Sequence, residues 1–165
     1  FAEHLNAQRV IDEHQWSSGE RIARLVLDTS AYSKLRSGDT RVRDLIADAE
    51  SVMLPAPVLG ELHGAFELGS RTRENRVALS DFLAEPFVGT LPVTETVARH
   101  YGRVFAGLRR AGTPIPANDM WIAACAIDQG ACLLTFDHDF EKIAGLDRII
   151  LDGIELGTDA DPTLD

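Results

Sequence analysis

Positive charge is scarce in this 165-residue sequence: 16 Lys and Arg stand against 26 Asp and Glu, a formal net charge of −10. That balance excludes a protein that grips nucleic acid through a broad basic surface. Cysteine is nearly absent. Cys125 and Cys132 are too few for a disulfide scaffold, and both lie in apolar stretches, where they read as buried reduced thiols. No apolar run approaches the roughly 18 residues a membrane span needs. The opening residues, FAEHLNAQRVIDEHQWSSGE, are polar and hold no signal-peptide core. A cytoplasmic protein with no membrane partner is expected. Familiar catalytic loops are missing too. There is no G-x-x-x-x-G-K-[ST] phosphate loop, no G-x-G-x-x-G after the first strand and no G-x-S-x-G elbow.

What is present is 45% apolar residues, enough for one compact domain with a core. Residues 1–23 read as a segment apart, with QWSSGER as a linker. They could be a partner-binding helix, a fused fragment of a neighbouring protein or an expression remnant. The domain is expected over 24–152. From 153 onward an acidic tail follows: Glu155, Asp159, Asp161 and Asp165 with no Lys or Arg, so that −10 becomes −6 without it.

Within the domain, short apolar runs end abruptly and alternate with helical patterns. RLVLD, SVMLP, FVGTLPV, ACLLT and RIIL read as strands. Between them, Asp39 or Thr40 caps a helix over Val42, Leu45 and Ile46. APVLGELHGAFELG forms a helix ended by Gly69, and Ser70 or Thr72 starts the next. Thr94 opens one with Val97, Tyr101, Val104 and Leu108 inward. Strands apolar on both faces, alternating with helices about five times, are the pattern of a parallel sheet covered on both sides.

Four carboxylates sit awkwardly in that scheme. Asp28 stands at the carboxyl end of the first strand and Asp137 two residues past ACLLT. Open α/β sheets bind ligands at that end. Asp119 heads a helix and shares a face with Ile122, Ala123 and Ala126. Glu61 shares spacings with Val58, Ala65 and Leu68 and is expected on an inward stripe. Each has an ordinary alternative. Asp28 could cap a helical turn, Asp119 favour a helix dipole, Asp137 start a turn. Gathered in one place, however, each pair ~5–6 Å apart would cost roughly 3 kcal/mol at an effective dielectric near 20. A divalent cation removes that conflict. Oxygen ligands without a His or Cys cluster select a hard ion, Mg²⁺ or Mn²⁺. His138, beside Asp137, reads as a surface residue.

The blocks LVLDTSAY, PAPVLGELHGAF, IPANDMWIAACA and LLTFDHDFEKIAGL, in that order over residues 24–152, resemble a PIN domain of the VapC toxin-ribonuclease type. The resemblance implies a three-layer α/β/α sandwich with a central parallel sheet of about five strands. It implies a Mg²⁺- or Mn²⁺-dependent endoribonuclease whose substrate is RNA, neutralised by a cognate antitoxin protein and homodimeric. Carried over residue by residue, Asp28 and Asp119 match the principal metal ligands. Glu61 and Asp137 match the remaining acids, and Asp139 a further acidic position, so that either Asp137 or Asp139 completes the site. Thr29, Ser30 and Thr135 match small hydroxyl positions near the metal, where capping and strand termination are their alternative roles. Arg71, Arg73, Arg76, Arg103, Arg109 and Arg110 are candidates for RNA phosphates, with a solvated helix face as the alternative. Two competing readings remain: a non-catalytic PIN-type RNA- or protein-binding module, and a phosphotransferase using Asp28 as nucleophile. The second wants an acid two residues on, where Ser30 stands.

Overall fold

The computed structural model describes residues 10–11 and 21–153; apart from Arg21 and Gly153, the linker and the acidic tail expected from the sequence lie outside the described residues. The elements run β1 (Val10–Ile11), β2 (Ile22–Leu27), α1 (Thr29–Arg36), α2 (Thr40–Asp48), β3 (Ala49–Pro55), α3 (Ala56–Leu68), α4 (Thr72–Leu83), β4 (Val88–Leu91), α5 (Glu95–Ala111), α6 (Ala117–Asp128), β5 (Cys132–Thr135), a 3-10 turn (His138–Lys142) and β6 (Arg148–Ile150). The strands form one sheet in the order β1-β6-β5-β2-β3-β4. All neighbours are parallel. Helices flank it, as expected for an α/β sandwich. Five strands are those read from the apolar runs. The sixth, β1, comes from the segment expected to stand apart and pairs Val10 with Arg148 and Ile11 with Ile149. A strand of two residues is too short to leave a periodic signature in a sequence.

The sheet supplies the core. Leu25, Val26 and Leu27 of β2, Val52 and Leu54 of β3 and Leu133 and Leu134 of β5 are all fully buried. They pack against Val58 and Leu62 of α3 and Ile122, Ala123 and Ala126 of α6. Strand β2 begins at Ile22, earlier than the apolar run suggests, because Ile22 pairs with Ala49 while Ala23 and Arg24 face solvent. Cys125 is buried as expected, but Cys132 is only half-buried at the start of β5.

Local chemistry explains the helix ends. Asp39 caps α2 by accepting from the backbone N–H of Arg41 and Val42, and Thr94 caps α5 by accepting from Val97. Helix α5 closes on Gly112 at φ +68, a left-handed residue where a side chain would be strained. Helix α4 departs from expectation: Arg71 occupies its cap without a side-chain bond. Thr72 instead turns its hydroxyl back to donate to the Phe66 carbonyl at 2.6 Å, tying α4 to the end of α3.

The order of strands locates the site. From β2 the chain adds β3 and β4 on one side, then crosses back and adds β5 and β6 on the other. The reversal falls between β2 and β5, which pair Leu27 with Leu134. At such a switch point the connections leave in opposite directions and open a crevice beyond the carboxyl ends of the two strands. Asp28 follows β2 directly, and Thr135 ends β5.

Candidate metal centre

Asp28 is 4% exposed and sits at the cap of α1. Its Oδ1 accepts from the Ala31 backbone N–H at 2.8 Å and from the Ser30 hydroxyl at 2.7 Å. Its Oδ2 accepts from the Thr135 hydroxyl. The capping role is therefore real, and it coexists with a second function: the carboxylate is locked in one orientation. Burial pushes its pKa up, opposed by the bonds from Thr135, Ser30 and Ala31 and reinforced by the charge of Asp137.

Thr135 is fully buried and ties the two strand ends together. Besides donating to Asp28, its hydroxyl accepts from the Asp137 backbone N–H at 2.9 Å. Ser30 makes a parallel link, accepting from the Phe136 N–H at 3.0 Å. Thr29, the third expected hydroxyl, has a buried Oγ1 without a hydrogen-bond partner and takes no part in this linkage. Asp137 caps the 3-10 turn by accepting from the Asp139 N–H at 2.9 Å, which brings both acids to the same opening.

Asp119 enters from the first turn of α6. Carboxylate oxygens of Asp119, Asp137 and Asp139 all lie within 4.8 Å of one another. Asp28 and Glu61 stand outside that triplet, yet close enough to act on it. The Asp119 pKa is pushed up to about 6, first by partial burial and then by the charges of Asp137, Glu61, Asp28 and Asp139. All five predicted acids thus share one electrostatic neighbourhood, a crevice of concentrated negative charge lined by hard oxygen donors.

Glu61 reaches that neighbourhood by a different route from the expected one. It is exposed, and the buried face of α3 is Val58, Leu62 and Phe66; Leu68, counted on its stripe, is 93% exposed. Spacings of four set the inward face, which turns Glu61 to the open side. There the Asn118 side-chain amide donates to Glu61 Oε1. Asn118 escaped the sequence reading because its partner is 57 positions away; its only signal is adjacency to Asp119.

Of the neighbouring groups, Lys142 Nζ lies 2.7 Å from Asp139 Oδ1. His138 is exposed, as expected, with one ring nitrogen 2.7 Å from Glu141 and the other 2.7 Å from Asp152, and both carboxylates raise its pKa. Among the candidate arginines, Arg76 pairs with Glu67 and Arg109 lies over the Phe105 ring at 5.1 Å.

The family model of the PIN domain matches residues 25–146. The chain belongs to the PIN domain family. Among curated relatives, ribonuclease VapC5 of Mycobacterium tuberculosis is 33% identical over 122 residues, 73% of this chain and 87% of that protein. The solved structure of VapBC-5 from M. tuberculosis, a member of the VapBC family of toxin–antitoxin systems, is 29% identical. It superposes with a TM-score of 0.63 over 78% of this chain and 99% of that one. DNA-bound VapBC from Salmonella typhimurium gives a TM-score of 0.69 at 24% identity, covering 78% and 97%, a likeness of fold. The acid-lined crevice of this PIN domain lies within the matched region.

Proposed function

We propose that this chain is a metal-dependent endoribonuclease of the VapC type, the toxin of a type II toxin–antitoxin pair. The observation that carries the reading is the convergence of Asp119, Asp137 and Asp139 within 4.8 Å at the sheet's switch point, beside the locked carboxylate of Asp28. Such a cluster suits a hard divalent cation, Mg²⁺ or Mn²⁺. Asp119, Asp137 and Asp139 would hold it, with Asp28 and Glu61 on its flanks. When bound, the ion supplies Lewis-acid chemistry, drawing charge from a phosphodiester and acidifying water for attack at phosphorus.

The chain's own residues do the rest. Ser30, Thr135 and the Ala31 N–H fix the direction of the Asp28 lone pairs, so the crevice is organised before any ligand arrives. Glu61, exposed and oriented through Oε1 by Asn118, is the carboxylate that receives the proton of the attacking water. A covalent role for Asp28 fits poorly, because both of its oxygens already accept hydrogen bonds and the group is buried. RNA is the substrate on this reading, and a cognate antitoxin protein and a second copy of the chain are its partners. Relatives named as ribonucleases and as toxin–antitoxin complexes support this. The chain is also a protein in which no helix of the described residues is long and apolar enough to cross a membrane.

The test is cleavage of total cellular RNA by the purified chain in Mg²⁺. Cleavage is expected to stop in EDTA, to return with Mn²⁺ and to be absent in Asp28→Asn with an unchanged circular dichroism spectrum. Full cleavage by Asp28→Asn would refute the assignment.

A further inference from the structure

A crevice lined by five carboxylates repels a polyanion, and a single divalent ion offsets only part of that charge. A flanking substrate phosphate therefore needs a cation at the mouth that no carboxylate already claims. Lys142 is taken by Asp139 at 2.7 Å, and Arg41 by Asp39 at 3.0 Å. Lys34, near the end of α1, is different: among the described residues its ammonium has no ion pair, and Nζ lies 5.6 Å from the centroid of the Phe136 ring. Phe136 stands between Thr135 and Asp137, and its backbone N–H is tied to Ser30. The Arg41 guanidinium lies over the same ring at 5.6 Å but is claimed by Asp39. Cation–π attraction to Phe136, the residue between Thr135 and Asp137, thus holds the Lys34 ammonium near the end of β5, with its N–H donors uncommitted among the described residues.

The geometry points to Lys34 as a substrate-binding residue that contacts an RNA phosphate next to the scissile one, with Phe136 as its positioning residue. This rests on the ribonuclease reading above. The contact is to the backbone, so it adds affinity without reading sequence.

The experiment uses the full chain. Steady-state cleavage of RNA is compared for the unsubstituted protein, Lys34→Met, Lys34→Arg and Phe136→Leu; Lys and Met are both good helix formers, so α1 is retained. Lys34→Met is expected to raise KM about five- to tenfold with kcat within about twofold, Lys34→Arg to stay near the unsubstituted value, and Phe136→Leu to fall between. Binding is then read by anisotropy on the cleavage-blocked Asp119→Asn chain, using a fluorescein-labelled mixed-sequence 15-nucleotide single strand. Adding Lys34→Met should lower the slope of log K against log salt by about 0.7, one single-strand phosphate contact. The loss should be equal on an abasic strand of the same length, since no base is touched. An unchanged KM and salt slope in Lys34→Met, while the unsubstituted protein still cleaves RNA, overturns this inference alone. Absence of RNA cleavage by the unsubstituted protein overturns the functional reading and this inference with it.

Discussion

Neutralising Asp119 should make the metal-free protein more stable at neutral pH, because its charge is disfavoured by burial and by the neighbouring acids. In the fold its pKa is pushed from an ordinary 3.8 up to about 6. Taken at face value, that rise corresponds to about 3 kcal/mol against the ionised form at neutral pH. The side chain is only partly buried, and solvent screening reduces the figure to about 1–2 kcal/mol. The sign follows from proton uptake. Between pH 3.8 and about 6 the folded state holds the proton more tightly than the unfolded chain. Stability therefore falls as pH rises through that window, and the whole penalty is present above it. Asn keeps the shape and removes the charge, at the loss of a favourable position near a helix N-terminus worth about 0.3–1 kcal/mol. Urea unfolding in EDTA should then show Asp119→Asn about 1 kcal/mol more stable than the unsubstituted protein at pH 7.5, a rise in Tm of about 2–4 °C. At pH 3.5 the gain should vanish. A variant less stable at pH 7.5, or a gain of equal size at both pH values, would refute the electrostatic reasoning.

Thr135→Val should destabilise the protein by about 1–3 kcal/mol in urea unfolding, because it leaves a buried carboxylate oxygen and the Asp137 N–H without their partner. It should also move the acid limb of the pH–rate profile upward, since the lost bond is one that holds the Asp28 pKa down. Arg148 is 8% exposed and donates to the carbonyls of Glu141, Ile143 and Leu146 at 3.2–3.3 Å. Arg148→Met should destabilise by about 2–3 kcal/mol, as those carbonyls lose a charged donor, measured by the same unfolding assay.

Strands β2 to β6 were legible as short apolar runs, although β4 at the sheet edge leaves Gly89 and Thr90 exposed, and Asp28 and Asp137 stood out by following two of those runs. Asp119 was legible from its place at the head of an apolar helix. Glu61 was expected on the inward stripe of α3 and lies on its exposed side, because three-residue and four-residue spacings compete and only the burial of Leu62 and Phe66 decides between them. The Ser30–Asp28–Thr135 linkage joins positions more than 100 residues apart. The residue types hinted at it, but the bonding required the β2–β5 pairing. Asn118 and Lys34 carry no pattern at all; their relation to Glu61 and to Phe136 exists only in three dimensions.

On the proposed reading, the central property of the crevice is a capacity to hold a divalent cation. Manganese binding to the purified chain, followed by the loss of the free-ion electron paramagnetic resonance signal at pH 7.5, tests it most directly. The unsubstituted protein should take up Mn²⁺ saturably, Mg²⁺ should displace it, and Asp119→Asn combined with Asp137→Asn should bind none. Uptake that is unchanged in the double variant, or absent in the folded unsubstituted protein, would contradict it.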